Sequence, residues 1–105
     1  MSQKHERLEQ VLRQAAAEYI NRESNRSSLI TVTGVRVAED FSRARILVSV
    51  LPEEKEEEVL AFLRRSRSDL REELERSWRM GKPPFVDFYI DNGEKNRQAI
   101  DILAG

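Results

Sequence analysis

Near the start of the chain, apolar residues return with the period of a helix. Leu8, Val11, Leu12, Ala15, Ala16, Tyr19 and Ile20 fall at i, i+3, i+4, i+7, i+8, i+11 and i+12, one face of an amphipathic helix. Residues 21–28 are polar, and the pattern ends there. From Leu29 to Val37 the sequence turns β-like, with Ile30 and Val32 in one phase of a two-residue alternation and Val35 and Val37 in the other. The phase slips at Thr33-Gly34, where a bulge or kink is expected. Residues 38–42 read as a turn. Ala44, Ile46, Val48 and Val50 then alternate with Arg45, Leu47, Ser49 and Leu51, a second strand close enough to form a hairpin with the first.

Pro52 with Glu53 and Glu54 suits the start of a long helix, proline for its fixed φ and acid for the positive end of the helix dipole. Val59, Leu60, Leu63, Leu70, Leu74 and Trp78 mark its apolar side. Ser66-Arg67-Ser68 interrupts that side, so a break or kink is expected there. Residues 80–84, Met-Gly-Lys-Pro-Pro, stop the helix. A third strand is read over 85–91, with Val86, Phe88 and Ile90 on one face and Phe85 and Tyr89 on the other. Asn92-Gly93 turns the chain into a short helix over 94–103. The order α-β-β-α-kink-α-β-α predicts an α+β domain, a three-stranded sheet with helices on one face.

The 105 residues suffice for one core, so a single domain over 1–105 is expected. There are no cysteines, which excludes disulfides and thiolate chemistry. Residues 1–7 are polar and no run of about 18 apolar residues occurs, so neither a secretory leader nor a membrane span is expected. The formal net charge is -1, but the charge is segregated. Residues 52–59 hold five Glu and one Lys, whereas residues 60–82 hold six Arg and one Lys against four acids. A chain of this kind can show phosphate a basic face although its sum is near zero.

The basic residues are therefore the first candidates. Arg64, Arg67 and Arg71 fall at i, i+3 and i+7 on one helical face; Arg65, Arg76, Arg79 and Lys82 flank it. They are either phosphate contacts or a solvated face pairing with Glu72, Glu73 and Glu75. Arg22 and Arg26, among Asn21, Asn25, Ser27 and Ser28, could follow a phosphate backbone or simply form a loop. The glutamates of 53–58 read as a solvated, dipole-matched helix start rather than a metal site, since no histidine accompanies them. His5, the single histidine, sits in a terminus expected to fray. Trp78 and Phe88 fit the core, while one of Phe85 and Tyr89 could be exposed for base stacking. No nucleophile–base pair, phosphate-cradling glycine loop or metal-spaced cluster occurs, so neither an enzyme nor a cofactor is expected.

Three blocks carry a family resemblance. Residues 30–37 with 40–51, ITVTGVRV and DFSRARILVSVL, are similar to the hairpin of ribosome-binding factor A, with its D-L-S-x-A turn and V-x-V-x-V-L strand. Residues 84–91 resemble its P-x-L-x-F-x-Y-D strand, with Ile90 where Tyr is usual, and residues 99–103 resemble its closing R-I-D-x-L-L. The resemblance implies a KH-like type II domain without the Gly-x-x-Gly loop of ordinary KH domains. Where the family kinks its helix at Ala-x-Gly, this chain has Ser66-Arg67-Ser68, and its charge balance is less basic than is common in the family. The function implied is a cytoplasmic, monomeric factor in late maturation of the small (30S) ribosomal subunit. It would bind 16S rRNA near the neck and decoding-region helices and assist rRNA processing, alongside ribosomal proteins or assembly GTPases, and would use at least part of the arginine set. The alternative is a KH-like protein-interaction module that has lost RNA binding.

Overall fold

The computed structural model describes residues 3–79 and 81–91. Helix α1 (Gln3–Glu23) buries Leu8, Leu12, Ala16, Tyr19 and Ile20, while Val11 at the margin of the stripe stays exposed. The helix runs almost a turn beyond its last apolar residue. Arg22 and Glu23 lie on the outer face and are good helix formers, so a polar residue there does not by itself end the helix. The chain leaves it through Ser24, whose N–H donates to Ile20 O at 2.9 Å, and Arg26, at φ 62°.

Strands β1 (Leu29–Val37) and β2 (Arg43–Leu51) pair antiparallel, and their register shifts between Val32 and Gly34 as the phase slip predicts. The extra residue, Thr33, sends its Oγ1 to Asp91 Oδ2 at 2.7 Å. In the 38–42 turn, Asp40 Oδ1 accepts from Ser42 Oγ at 2.6 Å and from Ser42 N at 3.1 Å. Those bonds, the hydroxyl's first, hold the Asp40 carboxyl below its ordinary range. Phe41 adopts φ 64°, a costly conformation for a bulky residue, with its ring stacked on His5 at 4.3 Å. His5 thus lies within α1 against the hairpin turn, not in a frayed terminus.

After Pro52 the chain makes a short 3-10 turn (Glu53–Lys55) before α2 (Glu56–Arg65), so the long helix begins later than its first proline suggests. The break falls at Ser66, and α3 (Arg67–Ser77) follows. Ser66 is buried. Its N–H is shared between Phe62 O and Leu63 O, each at 3.1 Å, and its Oγ donates to Phe62 O at 2.8 Å. A hydroxyl bonded back onto the preceding turn competes with the helical ladder and bends it, which gives a kink without glycine. Trp78 turns extended at ψ 122°, ending α3 two residues before the expected stop and directing its ring against the core.

Strand β3 (Phe85–Ile90) joins β2 in parallel, giving a mixed sheet of order β1-β2-β3. Helix α1 packs on β1, and α2 and α3 pack on β3, all against the sheet face that carries Ile46, Val48 and Phe88. Leu12, Leu63 and Leu70 close the core from the helical layer. The architecture is α+β with the KH-like type II element order. The helix expected over 94–103 lies outside the described residues.

Candidate nucleic-acid interface

Because β3 is an outermost strand, alternate backbone groups along it have no strand partner, a liability that charged side chains often cover. Asp87 Oδ1 accepts from Phe88 N at 2.8 Å, and Arg64 Nη2 donates to Phe88 O at 3.1 Å. The kink at Ser66 sets the end of α2 and the start of α3 beside this edge. Arg64 Nε then lies 3.4 Å from Asp87 Oδ1, and Arg67 Nη1 lies 3.2 Å from the same oxygen. Arg67 Nε also donates to Arg64 O at 3.1 Å, satisfying a carbonyl freed where α2 ends. One turn on, Arg71 donates to Pro83 O at 3.3 Å, pairs with Glu75 at 3.1 Å and lies 4.1 Å over the ring of Phe85. The predicted i, i+3, i+7 face is therefore a row of three arginines along the β3 edge. A cleft of about 500 Å³ opens beside Arg67 and Arg71, lined also by Ser68, Glu72, Glu75, Phe85 and Val86.

Two carboxylates, Asp87 and Glu75, pair with this row of three arginines, and Glu72 also lines the cleft. Arg64 and Arg67 share the single Asp87, and both stay exposed at 42% and 45% of their side-chain surface. Ion pairs this exposed are weak, so a phosphate can replace the carboxylate at little cost. The expected pairing within α3 occurs once, at Arg71–Glu75; Glu73 is engaged from another helix.

The rest of the predicted set does not gather here. Arg22 Nη2 donates to both carboxylate oxygens of Glu73, at 2.6 and 2.8 Å, tying α1 to α3, and Arg22 also pairs with Glu23 at 3.0 Å. The Glu23 hydrogen bond, then that to Glu73, pushes its guanidinium further up. Arg76 flanks that tie on the far side of α3. Arg26 bonds back to Asn21 O at 3.2 Å and lines a groove between α1 and β1, at the opposite edge of the sheet. Arg65, Arg79 and Lys82 are exposed and have no ion pair among the described residues. Ser68 is exposed at the cleft, whereas Ser66 is the buried hinge.

Of the aromatics, Phe88 is fully buried, Trp78 is half-buried against the core and Phe85 is 63% exposed. Tyr89 lies between two guanidinium groups, those of Arg45 and Arg64, each 5.7 Å from its centroid. Asp87 and Arg45 are site residues that the sequence reading misses. The signal that could find them is the alternation, since both occupy the polar phase of a strand whose other phase is core. The glutamates of 53–58 form the first turns after Pro52, with Lys55 3.5 Å from Glu58. No cluster able to hold a metal ion occurs among the described residues, and no helix among them is long and apolar enough to cross a membrane.

Residues 4–104 match the sequence model of ribosome-binding factor A. This chain belongs to the ribosome-binding factor A family. Ribosome-binding factor A of Prochlorococcus marinus (strain NATL1A) is 33% identical over 108 aligned residues, covering 97% of this chain and 88% of the relative. The crystal structure of ribosome-binding factor A from Thermus thermophilus superposes with a TM-score of 0.74 at 31% identity, over 86% of this chain and 98% of that one. A homology model of Thermus thermophilus ribosome-binding factor A, fitted into the cryo-EM map of a 30S complex, matches at a TM-score of 0.66 and 32% identity. It covers 79% of this chain and 90% of the other.

Proposed function

We propose that this protein binds the small ribosomal subunit, contacts 16S rRNA through the β3 edge and assists late rRNA processing in the cytoplasm. It acts by binding, as a monomer, and the bond-breaking steps belong to other factors. The observation that carries this reading is the row Arg64, Arg67 and Arg71 beside the cleft, in a chain of this family. Guanidinium groups held at fixed spacing, with those of Arg64 and Arg67 exposed and that of Arg71 partly so, are suited to phosphate oxygens. Membership in the family and the likeness to the Thermus protein fitted into a 30S map support the ribosome as target.

A second reading, a protein-interaction module without RNA contact, is favoured by two observations. The net charge is -1, and four of the candidate arginines, Arg22, Arg64, Arg67 and Arg71, already have carboxylate partners within 3.4 Å. Co-sedimentation with immature and mature small subunits over a salt series separates the two. Preferential pelleting with immature subunits, falling steeply as salt rises, is the expected result. Pelleting that ignores salt would favour the protein partner, and no pelleting at low salt would defeat the ribosomal reading.

A further inference from the structure

The face of the sheet turned away from the helices carries its own basic residues. In register, Arg36 on β1 stands opposite Arg45 on β2, which stands opposite Asp87 on β3; Arg43 stands opposite Phe85. The strand alternation puts Arg36, Arg43, Arg45, Phe85 and Asp87 on this outer face, because Val37, Ala44, Ile46, Val86 and Phe88 are buried on the inner one. All three arginines are exposed, as is the ring of Phe85. We propose that this outer face is a second RNA-binding surface, continuous with the β3 edge, on which a single strand lies with its phosphates on Arg36, Arg43 and Arg45 and a base against Phe85.

Three features argue for an anionic strand as the occupant. First, Arg36 and Arg45 are direct cross-strand neighbours, and like charges in that position destabilise a sheet. An anion between them removes the repulsion. Second, the nearby carboxylates are few and already engaged. Asp87 is shared by Arg64 and Arg67, Asp91 accepts from Thr33, and Asp40, close to Arg43, is bonded by Ser42. Third, a flat sheet surface that pairs guanidinium groups with an exposed aromatic ring is how single-stranded nucleic acid is held without regard to sequence. Arg71 over Phe85, together with Arg64 and Arg67 reaching Asp87, makes the surface continuous around the edge of β3. A path of this kind can hold a longer strand than the cleft alone. The like-charged pair Arg36 and Arg45, with the nearby carboxylates already engaged, calls for a polyanion, so RNA is the occupant favoured.

This inference rests on the RNA reading above, and its test separates the two. The full chain is titrated against a uridine oligonucleotide of about 12 nucleotides and against a duplex of equal length, by fluorescence anisotropy at several salt concentrations. Three proteins are compared with wild type: Arg36→Gln/Arg43→Gln/Arg45→Gln, Phe85→Ala, and Arg64→Ala/Arg67→Ala at the edge. The sheet-face variant is expected to bind the single strand at least about tenfold more weakly, with a salt slope smaller by about 2, since single strands give roughly 0.7 per phosphate. Phe85→Ala is expected to lose about fivefold to a hundredfold on the single strand and little on the duplex. If only the edge variant weakens binding, the sheet face is not a contact surface and the edge reading stands. If none of the three changes binding, the RNA reading itself is lost. If the sheet-face variant keeps its oligonucleotide affinity but no longer pellets with small subunits, the face belongs to a protein partner and the proposal is overturned. The substituted side chains are exposed, and the far-UV circular dichroism and thermal midpoint of each variant report whether the fold is kept.

Discussion

Arg64→Ala/Arg67→Ala is expected to weaken binding to 16S rRNA at least about tenfold and to lower its salt slope by about 1.4, at roughly 0.7 per single-strand phosphate. Charge-assisted hydrogen bonds are worth about 1.5–3 kcal/mol each, so the loss of two guanidinium groups exceeds tenfold even after their existing bonds to Asp87 are discounted. The counterpart is Asp87→Asn. It removes the negative charge that Arg64 and Arg67 share, yet the amide oxygen can still accept from Phe88 N–H. Both guanidinium groups are then freed for phosphate, and rRNA affinity rises. Opposite signs for neighbouring substitutions distinguish an RNA contact from a structural ion pair, because a structural pair would lose stability from either side and leave RNA binding unmoved. Filter binding or anisotropy with an rRNA fragment checks both. Unchanged affinity in the double alanine variant would contradict the RNA contact.

Phe88→Ala is expected to destabilise the fold far more than any substitution on the exposed faces. The ring is fully buried on β3, at the centre of the layer between the sheet and the helices. Removing it costs roughly 3–5 kcal/mol, in transfer free energy plus the cavity left behind. A small domain has a total stability of roughly 5–15 kcal/mol, so much of its margin would go. At about 4–8 °C per kcal/mol, the midpoint should fall by at least roughly 12 °C in thermal unfolding followed by circular dichroism. Phe85→Ala, three residues earlier on the exposed phase of the same strand, should shift it by only a few degrees. A Phe88→Ala midpoint within a few degrees of wild type would mean that β3 is not packed as described.

The contrast between those two phenylalanines shows what can be read in advance. Alternation in β3 separates Phe88 from Phe85 by phase, and the same logic locates the hairpin and the bulge at Thr33-Gly34, because a two-residue period fixes which side faces the core. The helix stripe marks the buried face of α1 but not its end, since Arg22 and Glu23 are compatible with either helix or loop. The kink is legible as an interruption of the apolar side. Its mechanism, a buried serine hydroxyl bonded to Phe62 O, depends on packing that no local pattern carries. The basic set is legible as charge and not as a site. Helical spacing brings Arg64, Arg67 and Arg71 together correctly, but nothing local indicates that Asp87 lies beneath two of them. Nor does it indicate that Arg22 closes on Glu73, a contact between residues 51 positions apart. Long-range pairing decides which of several exposed arginines share one surface.

Whether rRNA lies along the β3 edge is tested most directly by ultraviolet crosslinking of the protein on immature small subunits, with the crosslinked peptides identified by mass spectrometry. Crosslinks are expected in the peptides that carry Arg64, Arg67, Arg71 and Phe85. Crosslinks confined to the outer face of α1 or to the glutamates of 53–58, with the β3 edge untouched, would contradict that placement.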